Sequence, residues 1–286
     1  MPDDKPEALL EEEAAKKKEK IHKAWTMATG NYADYIEPHF APLNKIILNE
    51  VIPSSPEKCL DVAAGAGEPA LSLAAALSKS KVTGIDFCES MVSLANQRAK
   101  QRNIANCTFQ IGDAEKLSAF ADNEFDIVTC RQSLGFFPQP QHALSEFLRV
   151  LKSNGKLILT VWGPKETAIL PNLAGGLVNL HFDVPQDPNA RPIWYWAGNN
   201  VLKDALDKAG FTEINVKQIK VDMSYQGIDE LFEALRGTPQ RMVLESASAE
   251  MVLKLKSSLK EIASDFAAGN GYTLPCNFMV GVGVKS

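Results

Sequence analysis

The sequence has few cysteines, no long apolar run and no excess of positive charge. Its five cysteines among 286 residues are scattered and form no CxxC pair, which argues against a zinc site or a dithiol redox centre. No run approaches the ~20 apolar residues that cross a bilayer. The 30 basic and 35 acidic residues give a net charge of −5, whereas proteins that bind nucleic-acid phosphates are usually basic. We therefore predict no metal, no transmembrane segment and no nucleic-acid partner.

The amino terminus also lacks the marks of a secretory signal. It opens with Met-Pro-Asp-Asp, without a basic region or an apolar core. Cys59, Cys107 and Cys130 fall in or beside apolar strand-like runs, where a free thiol packs as a small apolar group. Free thiols are typical of a reducing compartment, so we predict a cytoplasmic protein.

Size and composition indicate a globular chain of one or two domains. Hydrophobic residues make up 45% and charged residues 23% of the chain. A typical domain of ~150 residues would allow about two. Since there is no internal repeat and no low-complexity linker, we favour one domain over residues 55–286, with insertions at 163–196 and 227–270, preceded by a helical segment at 1–54.

Short apolar runs alternate with helical patterns from residue 58 onward. The runs lie at 58–63, 81–86, 106–111, 125–130 and 156–162, and the helical patterns lie at 67–79, 89–102 and 140–152. This alternation predicts a parallel sheet built from βαβ units. Further along, a helix at 199–209, a strand at 212–223, helical residues at 227–268 and a last strand at 277–284 are predicted. Ligands of parallel sheets bind at the carboxyl ends of the strands, so polar residues at those ends are candidates for a site.

The charged residues 3–24 form a helical pattern of their own. Glu12 and Lys16 stand at i,i+4 spacing with the acid first, which is the favourable order. We interpret this stretch as a solvated helical arm in preference to a partner-binding tail.

The first predicted strand runs into a turn of small residues, Asp61 to Gly67. Small side chains at a strand-to-helix turn let the backbone approach a ligand, and the amides that open the next helix are free to bind it. A tight turn that only packs helix on strand explains the pattern equally well. Gly65 and Gly67, followed by Ala70, also fit a dinucleotide-binding fingerprint.

Three further strands end in polar residues. Asp86 follows Gly65 by 21 residues, and a carboxylate there can accept both hydroxyls of a ribose. An N-cap of the next helix is the alternative interpretation of Asp86. Asp113 ends the third strand, and Arg131 ends the fourth. The coincidence at four successive strand ends indicates one ligand site.

On these residues the sequence resembles the class I S-adenosylmethionine-dependent methyltransferases, most closely the branch with the ubiquinone/menaquinone C-methyltransferases. The resemblance covers about 55–163. It implies an α/β, Rossmann-like, seven-stranded, mostly parallel sheet with helices on both faces and a reversed last strand. It also implies an N-terminal helical lid at 1–54 and places helical insertions at 163–196 and 227–270 on the acceptor side.

The resemblance also implies a set of cofactor-binding residues. Gly65 and Gly67 would lie against the methionine part of S-adenosylmethionine, with Asp61 near its amino group and Asp86 on the ribose. The other implied positions are Ala63 in the turn, Phe87 and Met91 beside the adenine, Asp113 and Ala114 at the adenine amino group, Arg131, Gln132 and Ser133 under the sulfonium, and Tyr32 as a lid. Ala63 departs from the pattern because it stands where a glycine is frequent, and an alanine there requires a negative φ.

A nicotinamide dinucleotide is the alternative ligand. Its pyrophosphate would meet Glu68, a like charge, and Asp61 close by in sequence. A sulfonium and an ammonium are instead favoured by acidic neighbours. We therefore predict transfer of a methyl group by in-line displacement, ahead of a nucleotide-dependent oxidoreductase or a non-catalytic binding module.

The acceptor is less constrained by the sequence. Because the sulfonium is already a good leaving group, a general base is needed only if the acceptor must lose a proton. His181 is the candidate base and Tyr35 a second catalytic candidate. The aromatic run Trp194 to Trp196 would suit a small-molecule acceptor that is aromatic, apolar or an amine. We expect a monomer or a homodimer.

Overall fold

The computed structural model describes residues 7–185 and 190–286. Its strands are β1 (Lys58–Val62), β2 (Lys81–Asp86), β3 (Cys107–Ile111), β4 (Phe125–Arg131), β5 (Leu151–Trp162), β6 (Phe211–Tyr225), β7 (Ala267–Ala268) and β8 (Gly271–Lys285). Its helices are α1 (Glu7–Tyr35), α2 (Ala41–Val51), α3 (Ala70–Ala76), α4 (Glu89–Gln101), α5 (Pro140–Val150), α6 (Ile169–His181), α7 (Val201–Ala209), α8 (Ile228–Arg236), α9 (Arg241–Leu244) and α10 (Ala249–Ile262). Residues 3–6 of the predicted arm and 186–189 of the predicted insertion lie outside the described residues.

The strands form one sheet in the order β3-β2-β1-β4-β5-β8-β6, with the short β7 paired to β8. The first five strands pair in parallel, and β8 runs antiparallel to both β5 and β6. The predicted α/β sheet with a reversed last strand is therefore confirmed, with β7 as an eighth strand. The order reverses between β1 and β4, which is where sheets of this kind open a crevice.

Helices cover both faces of the sheet. Leu60 and Val128 pack on one face with α5 and α7. Cys59 and Ile127 pack on the other face with α2, α3 and α4. Successive strand residues thus alternate between two apolar layers, as expected for strands buried on both sides. A third cluster joins α6, α8 and α10 above the ends of β5, β6 and β8.

Several predicted boundaries are wrong for local reasons. The helix predicted over 67–79 begins at Ala70, because Gly67 has a φ of +114° that a helix does not allow. The helical stretch 227–268 is three helices, and its first break is at Gly237. A Cβ at Gly237 would lie 2.8 Å from the backbone nitrogen of Tyr32, so α1 packs closely against this break.

The insertion at 163–196 contains a helix, α6, as the prediction of helical insertions requires. Pro171 lies in the first turn of α6. Backbone N–H groups in the first turn have no acceptor within the helix, so proline is tolerated there. None of the described helices has both the length and the apolar character needed to cross a membrane.

The turn after β1 places Ala63 in the left-handed region, with a φ of +54°. The expectation of a negative φ at this alanine is therefore wrong. The turn requires the conformation that glycine supplies most easily, and alanine adopts it at a cost of about 1–2 kcal/mol.

Ala63→Gly should raise the free energy of unfolding by about 0.5–1 kcal/mol, because it relieves the left-handed alanine although it also loosens the unfolded chain. Urea unfolding followed by circular dichroism measures the change. The neighbouring Ala64→Gly is the control, since Ala64 is buried and has no positive φ, and it should lose stability. A loss of stability in both variants would contradict the prediction.

Candidate functional site

A cavity of about 670 Å³ opens at the carboxyl ends of the parallel strands. It lies under α1 and extends to α6. The predicted residues that line it are Tyr32, Ala63, Gly65, Asp86, Phe87, Met91, Asp113, Ala114, Arg131, Gln132 and Ser133. Residues from five separate stretches of the chain therefore share one cavity, as the strand-end pattern predicted.

Asp86 ties the turn after β1 to the end of β2. Its Oδ2 accepts a hydrogen bond from the Gly65 amide at 2.9 Å, and its Oδ1 accepts one from the Cys88 amide at 2.9 Å. Burial raises the pKa of Asp86, while these backbone donors act to lower it. The Phe87 amide is a third backbone donor to this carboxylate. Since a carboxylate has about four acceptor sites, Asp86 can still accept a donor from a ligand in the cavity.

Asp61 lies behind the cavity wall and does not line the cavity. It is fully buried, and its carboxylate accepts from the Thr129 hydroxyl at 2.6 Å and the Ala70 amide at 3.2 Å. Burial raises the pKa of Asp61 to about 7. Its observed contacts are those of a residue that joins β1, β4 and the start of α3, whereas the sequence analysis placed it beside a ligand.

The first amides of α3 already have acceptors. The Ala70 amide donates to Asp61, the Leu71 amide donates to the Gly67 carbonyl at 2.8 Å, and the Ser72 amide donates to Glu68 at 3.2 Å. The expectation that these groups are free for a ligand is therefore wrong. Gly67 does not line the cavity either, and a Cβ there would lie 2.7 Å from Leu71 Cδ1.

Asp113 is covered by a lysine of α1 that the sequence analysis missed. Lys18 Nζ lies 2.6 Å from Asp113 Oδ2 and 2.6 Å from Glu115 Oε2. Partial burial acts to lower the pKa of Lys18, but the hydrogen bonds to both carboxylates prevail and raise it. Lys18, Ile21, Trp25 and Tyr32 all line the cavity. Their spacing of three, four and seven residues was the available signal. The described part of the predicted solvated arm is a mostly exposed helix, and Lys18 and Ile21 on it also reach the cavity.

Arg131 crosses the floor of the cavity and is only partly paired. Its Nη2 lies 2.8 Å from the Glu68 carbonyl, 3.2 Å from Glu37 Oε1 and 3.3 Å from the Tyr32 hydroxyl. Its Nε and Nη1 are buried without a hydrogen-bond partner among the described residues. Glu37, which also pairs with Arg98, is a second residue that the sequence analysis missed. The two unpaired donors can serve an anionic or carbonyl group in the cavity.

The two candidate catalytic residues do not reach the cavity. His181 Nε2 lies 2.8 Å from the Ser258 hydroxyl, which links α6 to α10. Tyr35 packs at the edge of the cluster that joins α6, α8 and α10. Of the aromatic run, Trp194 lines the cavity, whereas Trp196 is buried among α5 and α7. The predicted aromatic wall is therefore split between the site and the core.

The part of the cavity near α6 is largely apolar. It is lined by Ile36, Phe40, Trp162, Leu170, Gly175, Gly176, Val178, Val184, Ile193 and Trp194, with polar contributions from Asn172, Asn179, Arg191, Thr238 and Gln240. The carboxylates in the described lining, Asp86, Asp113 and Glu115, belong to the opposite part. The cavity thus has a polar half beside β1 to β4 and an apolar half beside α6.

Comparison with known proteins agrees with this architecture. Residues 53–176 match the family model of a methyltransferase domain. The chain is 34% identical over 123 residues to the uncharacterized methyltransferase YcgJ of Bacillus subtilis, which is 43% of this chain and 47% of that protein. It is 32% identical over 133 residues to demethylmenaquinone methyltransferase of Deinococcus radiodurans, which is 46% of this chain and 53% of that protein. The chain spans about half the length of these curated relatives.

A solved structure shares the fold. Phosphoethanolamine N-methyltransferase 2 of Haemonchus contortus, solved with S-adenosyl-L-methionine, superposes with a TM-score of 0.57 at 21% sequence identity. The superposition covers 90% of this chain and 57% of that one. The central segment of the chain is therefore similar to a methyltransferase domain, and its sheet has the same fold as this solved structure.

Proposed function

We propose that this protein transfers a methyl group from S-adenosylmethionine to a small-molecule acceptor by in-line displacement. The observation that carries the proposal is the cavity itself. Asp86, which accepts from the Gly65 and Cys88 amides, lies at one wall. Arg131, whose Nε and Nη1 have no hydrogen-bond partner among the described residues, lies at another. The family of the central segment supports the same activity.

The residues present fit this cofactor. The remaining acceptor site of Asp86 suits a ribose hydroxyl. The buried Nε and Nη1 of Arg131 require an acceptor, and the carboxylate of the cofactor would satisfy both. Tyr32, whose hydroxyl lies 3.3 Å from Arg131, would cover the same end. The Asp113 carboxylate would accept a hydrogen bond from the adenine amino group once the Lys18 side chain moves away from it.

The chain itself would contribute orientation and exclusion of water. When bound, S-adenosylmethionine supplies a methyl group on a positively charged sulfur. The described lining of the apolar half includes neither histidine nor carboxylate, so the residues there hold an acceptor in line and exclude water without moving a proton. We infer that α1 acts as the lid and that the segments 163–196 and 227–270 form the acceptor side.

A nicotinamide dinucleotide fits less well. Its pyrophosphate needs open amides at the start of α3, and those of Ala70 and Ser72 already donate to Asp61 and Glu68. The two carboxylates would also repel it. For location, the free state of all five cysteines supports the cytoplasm.

Asp86→Asn should weaken binding of S-adenosylhomocysteine about 10- to 100-fold, because it removes charge-assisted acceptors and sets an amide group against the Gly65 amide. Isothermal titration measures the affinity. Asp222→Asn, a change at a half-exposed carboxylate on β6, is the control. Unchanged affinity for S-adenosylhomocysteine in a folded Asp86 variant would contradict the assignment of Asp86 to the ribose. If the unaltered protein did not bind S-adenosylhomocysteine, the proposed function would be wrong.

Arg131→Gln should weaken binding of S-adenosylhomocysteine at least tenfold while leaving 5′-methylthioadenosine, which has no carboxylate, within about twofold. The affinities of both ligands are compared by isothermal titration. Arg98→Gln is the matched control, since it also removes one of the two arginines on Glu37 but Arg98 does not line the cavity. Equal losses for the two ligands would contradict the carboxylate assignment.

Lys18→Met should raise the dissociation rate of S-adenosylhomocysteine about three- to tenfold, because two partly buried ion pairs hold α1 over Asp113 and Glu115. Stopped-flow fluorescence, with Trp25 of α1 in the cavity wall as a reporter, follows the release. Lys17→Met, on the exposed side of the same helix, should change nothing. An unaltered release rate in the Lys18 variant would show that this pair does not hold the lid.

A further inference from the structure

Two adjacent glycines interrupt the middle of α6 where it borders the apolar half of the cavity. Gly175 is half-buried and Gly176 is exposed, and both line the cavity. Neither has a positive φ, so the backbone would accept any residue at these positions. Glycine is among the poorest helix formers, so the pair weakens α6 without a local reason.

Close packing does not explain the pair. A Cβ built at Gly175 or at Gly176 meets no atom within 4 Å. At Gly163 and Gly237, by contrast, a Cβ would lie 2.6 Å and 2.8 Å from backbone atoms, so those glycines are required by their neighbours. What Gly175 and Gly176 provide is open space beside the apolar wall.

A second observation points to a ligand in the same cavity. Gln132 is 8% exposed and lines the cavity, and its Oε1 has no hydrogen-bond partner among the described residues. Its Nε2 is held by the Thr160 hydroxyl at 3.0 Å, and its backbone has a φ of +60°. A buried acceptor without a partner, on a backbone in the left-handed region, is a feature of binding sites.

The charges on this side favour an uncharged occupant. Among the charged residues of the described lining, Arg191 belongs to this half and Arg131 lies at the end of β4, while the carboxylates belong to the other half. A bound sulfonium would add a further positive charge. Among the described lining residues of this half, no carboxylate is present to pair with a cationic acceptor.

We propose that Gly175 and Gly176 set the size of the acceptor compartment, which takes an uncharged molecule with a bulky apolar part and a hydrogen-bond donor for Gln132 Oε1. The inference rests on the proposed function and adds the class of acceptor to it. Phe40, Trp162 and Trp194 supply the apolar wall that such a molecule contacts.

The test uses three probes of equal bulk, which are uncharged 2-naphthol, cationic 1-naphthylmethylamine and anionic 2-naphthoate. Each is titrated calorimetrically into the full chain, with and without saturating S-adenosylhomocysteine. We expect 2-naphthol to bind at least tenfold more tightly than the cation. Gly175→Leu should weaken 2-naphthol at least tenfold and Gly175→Ala less, while both leave S-adenosylhomocysteine affinity unchanged.

The melting temperature distinguishes a loss of space in the compartment from a loss of folded structure. Gly175→Ala should raise the melting temperature by about 2–4 °C, because alanine favours the helix. Gly30, in α1, is the matched control, since a Cβ there also meets nothing within 4 Å and the residue does not line the cavity. Gly30→Ala and Gly30→Leu should leave the affinity for 2-naphthol unchanged.

The inference is overturned if 2-naphthol does not bind the unaltered protein, if the cation binds as tightly, or if Gly175→Leu in a folded protein binds 2-naphthol normally. Failure of S-adenosylhomocysteine to bind is a separate result that removes the proposed function. The titrations without S-adenosylhomocysteine still decide whether the compartment selects an uncharged apolar molecule.

Discussion

The hydrogen bonds on the Asp86 carboxylate hold the site together. One joins the turn after β1 to β2, and the other joins β2 to the start of α4. The turn can reach Asp86 because Ala63 and Gly65 both adopt positive φ, each at +54°. A short stretch of unusual backbone and one buried carboxylate therefore position the wall of the cavity before any ligand is present.

A second constraint comes from buried charge. Arg131 and Glu37 are nearly inaccessible, and an ion pair in such a place costs desolvation that its own attraction only partly offsets. Glu37 is shared between Arg131 and Arg98, and the Arg131 Nε and Nη1 have no hydrogen-bond partner among the residues that the structure describes. Two apolar side chains at these positions would avoid this desolvation cost. The arrangement is therefore better explained by a ligand that completes it than by stability alone.

The sequence predicted the parts of the structure that local pattern determines. Asp86 and Asp113 were recognisable because each ends an apolar run, and the strands around them were predicted within a few residues. Glu37 and Lys18 were not, because each meets its partner through contacts between distant segments, as Lys18 does with Asp113, 95 residues away. His181 was misjudged for the same reason, since its partner Ser258 belongs to α10.

The two halves of the cavity are built by different elements of the chain. The polar half is defined by hydrogen bonds from fixed strand ends, so its geometry is set by the sheet. The apolar half is enclosed by α1 and α6, and neither belongs to the sheet. On the proposed function, a change in α6 would alter selectivity for an acceptor while Asp86 and its amide donors stay in place. The sheet thus sets the polar half of the cavity, and the helices that cover the sheet set the apolar half.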